Sequence, residues 1–404
     1  MSEKKRMANY ELLRAVAMLM ILLMHFLSHS GSLLVAGSRE SFNGVTLLGT
    51  VLEFFCIAAV NTYVLISGFF GVKTSFRPAK AVSLLFQIWF YALLVPLALR
   101  IIFPEGLPLM PEKAVGAAGL IVDTGARSAG QNIQGIYKWI WYLFPIETEH
   151  YWFATSYFIL YLLTPVLNGA VRAMSKRQLQ ITLGGLLILF CGMKSMSPVV
   201  FAFDKYGYDL AWFICVYLVA AYLGLYGHPV VEKRGWAVYV GSSIGCIAIH
   251  LGMFQLSLKS DSWGYYFSVP YHYNFLLCLL AAIGLFYGFS KLQIREGCLA
   301  AVIRKTGVLC FGVYLLHEHV DLRYRWYWWI RNWINPSGKT GIGVFFWELS
   351  VCVVILFTAG IFIDYVRSIF FKAAGKLLKN TAACRFLQRL DEEMGTGGQE
   401  GMGE

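Results

Sequence analysis

Ten apolar stretches run through this 404-residue chain, near residues 9–29, 47–70, 81–103, 151–168, 178–193, 209–226, 236–254, 271–290, 307–324 and 343–366. Each is long enough, or nearly so, to cross the roughly 30 Å hydrocarbon core of a bilayer as a helix. Lipid offers no partner for backbone N–H and C=O groups, so runs of this kind span as helices. The expected fold is therefore all-α, a polytopic membrane bundle of about ten helices embedded in the lipid bilayer. Composition agrees: only 14% of residues are charged, against roughly a quarter in soluble domains.

The cations orient the bundle. With the N-terminus in the cytoplasm, most of the 34 Lys and Arg residues fall in the tail "EKKR", in loops 73–80, 172–177, 233–234 and 291–305, and after residue 366. That bias obeys the positive-inside rule and puts both termini in the cytoplasm. The net charge of +11 is then a topology signal, and no nucleic-acid partner is expected. The first apolar run is longer than the apolar region of a signal peptide, so no cleavage is expected. Three regions follow: a cytoplasmic tail at 1–8, a membrane domain at 9–366, and a basic segment with a disordered tail at 367–404, ending in "DEEMGTGGQEGMGE". The long connection 104–150 contains "AVGAAGLIVDTG" and "IYKWIWYLF", which read as re-entrant or interfacial pieces. The nine cysteines are scattered without a C-x-x-C pair and read as small buried hydrophobes.

The first stretch, "NYELLRAVAMLMILLMHFLSHSG" at 9–31, carries Arg14 and His25. Eleven residues along a helix make about three turns, leaving both side chains on one face roughly 16 Å apart. A cation and an imidazole in a span are costly and usually face a protein interior or a water-filled cavity. The histidines also gather on one side. His25 and His29 fall in the outer part of the first span, and His150 and His272 open the fourth and eighth from outside. His250, His317 and His319 are also outer, leaving only His228 in the cytoplasm. An outer cavity with groups titrating near neutral pH is expected.

Arg14-x10-His25 resembles the signature of the family-three membrane acyltransferases, which modify bacterial cell-surface glycans. "VNTYVLISGFFG" at 60–71 resembles the family's second span, and "EHYWFATSYFILYLLTPVLN" at 149–168 is similar to its outward-starting His/Tyr-Trp-Phe-Leu span. "FGVYLLHEH" at 311–319 resembles its late "YLIH" element. One departure is that many members carry two arginines three apart in the first cytoplasmic loop. Here "GVKTSFRPAK" offers Lys73, Arg77 and Lys80 instead.

The resemblance implies transfer of an acetyl or other short acyl group from cytoplasmic acyl-CoA, such as acetyl-CoA, to a hydroxyl of a glycan or lipid-linked sugar. The place implied is the bacterial plasma membrane. Arg14, Lys73 and Arg77 would hold the donor's phosphates by charge-assisted hydrogen bonds, and His25 would be the general base. Direct transfer and an acyl-histidine intermediate both fit. For a partner to His25 the candidates are Glu149, His150 and His317, together with Glu53 in the second span and Glu348 in the tenth. Asn61, His150 and Trp152 are candidate acceptor contacts, with Ser67 and Phe153 as other lining groups. No metal is expected, although His25-x3-His29 could chelate. A transporter of a sugar or lipid intermediate is the main alternative activity.

Overall fold

The computed structural model describes residues 6–107, 135–197 and 205–396, and these form helices joined by turns, with no strand among the described residues. The chain order is α1 Ala8–Ser30, α2 Gly44–Cys56, α3 Ala59–Gly71, α4 Pro78–Ile102, α5 Ile136–Leu143, α6 Trp152–Ala173 and α7 Lys176–Leu187. It continues with α8 Leu210–Tyr226, α9 Pro229–Ser257, α10 Leu276–Ser290, α11 Cys298–His317, α12 Trp326–Ile334, α13 Ile342–Leu378 and α14 Ala382–Thr396. Among the described residues, nine stretches are long and apolar enough to cross a membrane, and α8 is a shorter apolar helix beside them. The chain is thus a polytopic all-α membrane protein.

Loops of like predicted side meet at one end of the bundle. Asn9 donates to the carbonyls of Phe289 and Ser290, Lys291 to the carbonyl of Lys233, and Arg172 to that of Val72.

The second span is broken. A turn at Ile57–Ala58 separates α2 from α3, with no proline to cause it. A break in a span frees carbonyls that lipid cannot satisfy, so protein groups must take them. Tyr239 donates to the Phe55 carbonyl at 2.6 Å, and the Cys278 thiol to that of Ile57 at 3.5 Å. The break opens beside Glu53, in the last turn of α2.

Helix α11 is held by close approaches that only glycine permits. A Cβ on Gly307 would lie 2.6 Å from the Glu11 carbonyl oxygen on α1, and one on Gly312 would lie 2.4 Å from the Asp364 Cβ on α13. Asp364 is fully buried and fixed in turn by Arg367, Gln87 and Tyr91.

Two expectations are corrected. The ninth span is Cys298–His317, not 307–324. It absorbs Arg304 and Lys305, whose heads find Glu296 and the Tyr365 ring, and it stops at His317, leaving 318–325 as consecutive turns. The tail is not wholly irregular either: α14 covers 382–396. Asp391 on it accepts from the backbone N–H of Ala79 and pairs with Arg77, so it satisfies an orphan donor at the start of α4. The expected "IYKWIWYLF" piece contains α5, whereas "AVGAAGLIVDTG" and the last residues of the tail lie outside the described residues.

Candidate active site

Packing α1 against α11 brings His25 and His317 together across 292 residues of sequence, with His25 Nδ1 2.9 Å from His317 Nε2. His317 Nδ1 lies 2.7 Å from the Val313 carbonyl oxygen. A carbonyl only accepts, so that nitrogen carries the proton and Nε2 of neutral His317 is an acceptor. His25 Nδ1 must then donate, which leaves the lone pair of His25 on Nε2. Glu318 Oε1 stands 3.5 Å from His25 Nδ1. His317 and Glu318 are buried, while the His25 side chain keeps 16% exposure. The result is an oriented imidazole with an acceptor and a carboxylate behind it. The nitrogens and carboxylate oxygen also lie within 4.8 Å of one another, a spacing one cation could bridge; a hydrogen bond accounts for the 2.9 Å contact without one.

On the side that the cation bias predicts to be outer, His25 lines a cavity of about 60 Å³ with Glu53, Trp152, Tyr271, Tyr273 and Arg323 among its walls. Arg323 is 1% exposed, and its Nη2 donates to the His150 carbonyl at 2.8 Å. A permanent cation thus shares the cavity with the imidazole.

Further along α1, Arg14 lines a second, inner cavity of about 470 Å³ with Arg6, Arg77 and Lys80. Glu11 is ion-paired with both Arg14 and Arg6, and Arg77 with Asp391. Between the cavities lies an aromatic layer. The Phe153 ring meets Trp152 of the outer wall, Tyr63, and Tyr157 of the inner wall. Tyr63 donates to the Arg14 carbonyl at 2.6 Å.

Of the residues the sequence singles out, His25, His317 and Trp152 meet around the outer site, and Arg14 and Arg77 meet in the inner one. Glu149 lines neither cavity: it adopts a positive φ of 51° and faces Lys205 at 3.7 Å. The acid beside His25 is Glu318; a span of 307–324 would continue the helix through residue 318 and point it about 100° away from His317. Asn61 is fully buried packing, accepting from Trp212 Nε1 and donating to the Tyr273 carbonyl.

His150 is also fully buried, and its ring lies against His319. Burial, then the charge of His319, holds the His150 imidazole well below its ordinary value, and burial lowers His319 to about 4. Both are neutral near pH 7, and the His150 carbonyl reaches the cavity wall at Arg323. Lys73 stands over the Phe69 ring and is not in the inner wall, where Lys80 and Arg6 are found instead. Ser67 lines the inner cavity, and Glu348 is tied to Asn335 and Arg331.

No curated protein and no solved structure gives a match to this chain. A family model described as an acyltransferase domain matches residues 7–365, nearly all of the membrane bundle, and the chain accordingly belongs to acyltransferase family 3.

Proposed function

We propose that this membrane acyltransferase moves a short acyl group, acetyl in the simplest case, from acyl-CoA to a hydroxyl of a cell-surface glycan or its lipid-linked precursor, as a multi-pass protein of a bacterial plasma membrane. The observation that carries the reading is that one helix presents Arg14 to a cationic inner cavity and His25 to a separate outer one. Coenzyme A carries several phosphates, which cannot enter hydrocarbon cheaply. Arg6, Arg14, Arg77 and Lys80 are the groups to hold them, and only the extended thioester arm would pass the Tyr63–Phe153 layer toward His25.

In the transfer step His25 Nε2 takes the acceptor's hydroxyl proton as that oxygen attacks the thioester carbonyl carbon. The carbonyl electron pair moves onto oxygen, where the Arg323 guanidinium is the nearby cation to stabilise it. The imidazolium keeps its Nδ1–H on His317 and has Glu318 beside it. Collapse re-forms the carbonyl, breaks the C–S bond, and returns the proton from His25 to the departing sulfur. The products are an acyl ester and free coenzyme A. The same Nε2 lone pair would serve an acyl-imidazole route, and rapid quenching of a single turnover separates the two.

Mass spectrometry of surface glycans from cells with the protein and from cells lacking it tests the reading. The expected result is one acyl increment lost without the protein. Identical glycans in both would remove the proposed acceptor class, and a sugar or lipid intermediate accumulating unmodified on one side would favour transport.

A further inference from the structure

Glu53 stands apart from the other buried acids. Glu11 is matched by Arg14 and Arg6, Asp321 by Lys138 and Tyr142, Asp364 by Arg367, Glu348 by Asn335 and Arg331, and Glu318 by His25. Glu53 is only 7% exposed, and its Oε2 has no hydrogen-bond partner among the described residues. A buried carboxyl without a partner is costly in any fold and rare in a membrane span, where such groups mark substrate sites. Burial this expensive calls for a reason. Glu53 lines the same cavity as His25, so whatever satisfies it arrives where the acyl group is transferred.

We infer that Glu53 anchors the acceptor by accepting a hydrogen bond from a hydroxyl adjacent to the one acylated, and that the acceptor's reacting end is a neutral polyhydroxylated ring. The inference rests on the acyltransferase reading and adds the substrate's chemistry to it. A carboxyl offers acceptor oxygens to neighbouring hydroxyls. Tyr271 and Tyr273 stand in the same wall with Trp152, giving apolar ring faces for the C–H face of a sugar. The Trp152 and Tyr273 rings are nearly parallel, 14° apart. Two carboxyls, Glu53 and Glu318, face the cavity against one guanidinium, which disfavours a phosphate or a uronate at the reacting end.

The span break at Ile57 lets α2 end beside the cavity, and so sets where Glu53 sits. At about 60 Å³ the cavity is smaller than a sugar ring. A whole ring therefore enters only as a wall yields. The segment 318–325, which carries Glu318, Arg323 and Tyr324, is one part of that wall without regular helix, and Leu33, Ile57, Tyr208 and Tyr273 are others.

The test uses the full chain in lipid nanodiscs and follows tryptophan fluorescence during titration with methyl β-glucopyranoside, methyl β-galactopyranoside, methyl N-acetyl-β-glucosaminide and methyl β-glucuronide. At least one neutral pyranoside should bind the wild type, and tighter than the glucuronide. Glu53→Leu should weaken that binding tenfold or more while melting no lower than the parent, because an unsatisfied buried group has been removed. Glu53→Gln, nearly isosteric, should weaken it less.

A wild type that binds no neutral pyranoside, prefers the glucuronide, or binds unchanged after Glu53→Leu overturns the inference. If Glu53→Leu proves unstable, monodeoxy methyl pyranosides decide on the wild type and Glu53→Gln. One deoxy position must lose affinity on the wild type and less on the variant; equal losses on both sink the idea. Acyl-CoA consumption, measured separately, scores the transferase reading. Sugar binding without thioester turnover would keep Glu53 and remove the reaction, and turnover indifferent to Glu53 would do the reverse.

Discussion

Removing His317 isolates the part of the site that spacing along the chain could not reveal. His317 Nε2 accepts from His25 Nδ1 at 2.9 Å and is held by its own bond to Val313. A hydrogen bond to a group that becomes charged is worth about 1.5–3 kcal/mol, and about 1.4 kcal/mol is a tenfold change in rate. His317→Ala should therefore lower kcat by roughly 10- to 150-fold, with donor affinity largely kept. His317→Gln should fall between, since the amide oxygen can still accept from Nδ1. His25→Ala removes the base itself and should cost about 10²–10⁴-fold.

The double variant His25→Ala/His317→Ala should be no slower than His25→Ala alone, because His317 acts only through His25; residues working as a unit are non-additive. The assay is initial-rate release of coenzyme A from acyl-CoA in the presence of acceptor, on variants that melt with the wild type. Additive losses in the double variant, or a full rate for His317→Ala, would refute the relay.

Other outcomes follow from the same geometry. Arg14→Ala should weaken acyl-CoA binding by equilibrium titration far more than it lowers kcat, and Arg14→Lys should recover only part, since a point charge does not replace a planar fork. Arg323→Met should lower kcat roughly 10²-fold if the guanidinium carries charge in the transition state, with donor affinity unchanged; equal kcat would reduce it to packing. Gly312→Ala sets a Cβ 2.4 Å from the Asp364 Cβ and should destabilise by roughly 1–3 kcal/mol, read as an earlier thermal transition. Chelators and metal analysis should leave activity untouched and find no stoichiometric metal, whereas a metal held by His25, His317 and Glu318 would be stripped with loss of rate.

What the sequence showed was what is local. Hydrophobic periodicity is a property of neighbouring residues, so most of the spans could be read directly, as could the shared face of Arg14 and His25, though not the bounds of the ninth span. Pairing across the bundle could not. The meeting of His25 and His317 depends on how closely α11 lies on α1, and that depends on Gly307 leaving room for Glu11. Glu318 was hidden by two residues' worth of structure: the helix ends at His317, and the turn after it swings the carboxylate toward His25. Lys73 and Lys80 share one short loop, and charge alone does not say which lines the cavity. The helix α14 was lost in a polar sequence whose order depends on a distant contact, Asp391 with Arg77 and Ala79. Glu53 looked like one acid among several until its lack of a partner set it apart.

The central claim is transfer across the bundle, from a donor held at the Arg14 end to a hydroxyl met at the His25 end. Sealed proteoliposomes of known protein orientation test it most directly, with radiolabelled acetyl-CoA confined to the side exposing the inner cavity and a methyl pyranoside confined to the other. Labelled acetyl ester should appear in the pyranoside compartment with the wild type and vanish with His25→Ala. Ester formed only when both substrates share one side, or formed equally by His25→Ala, would contradict it.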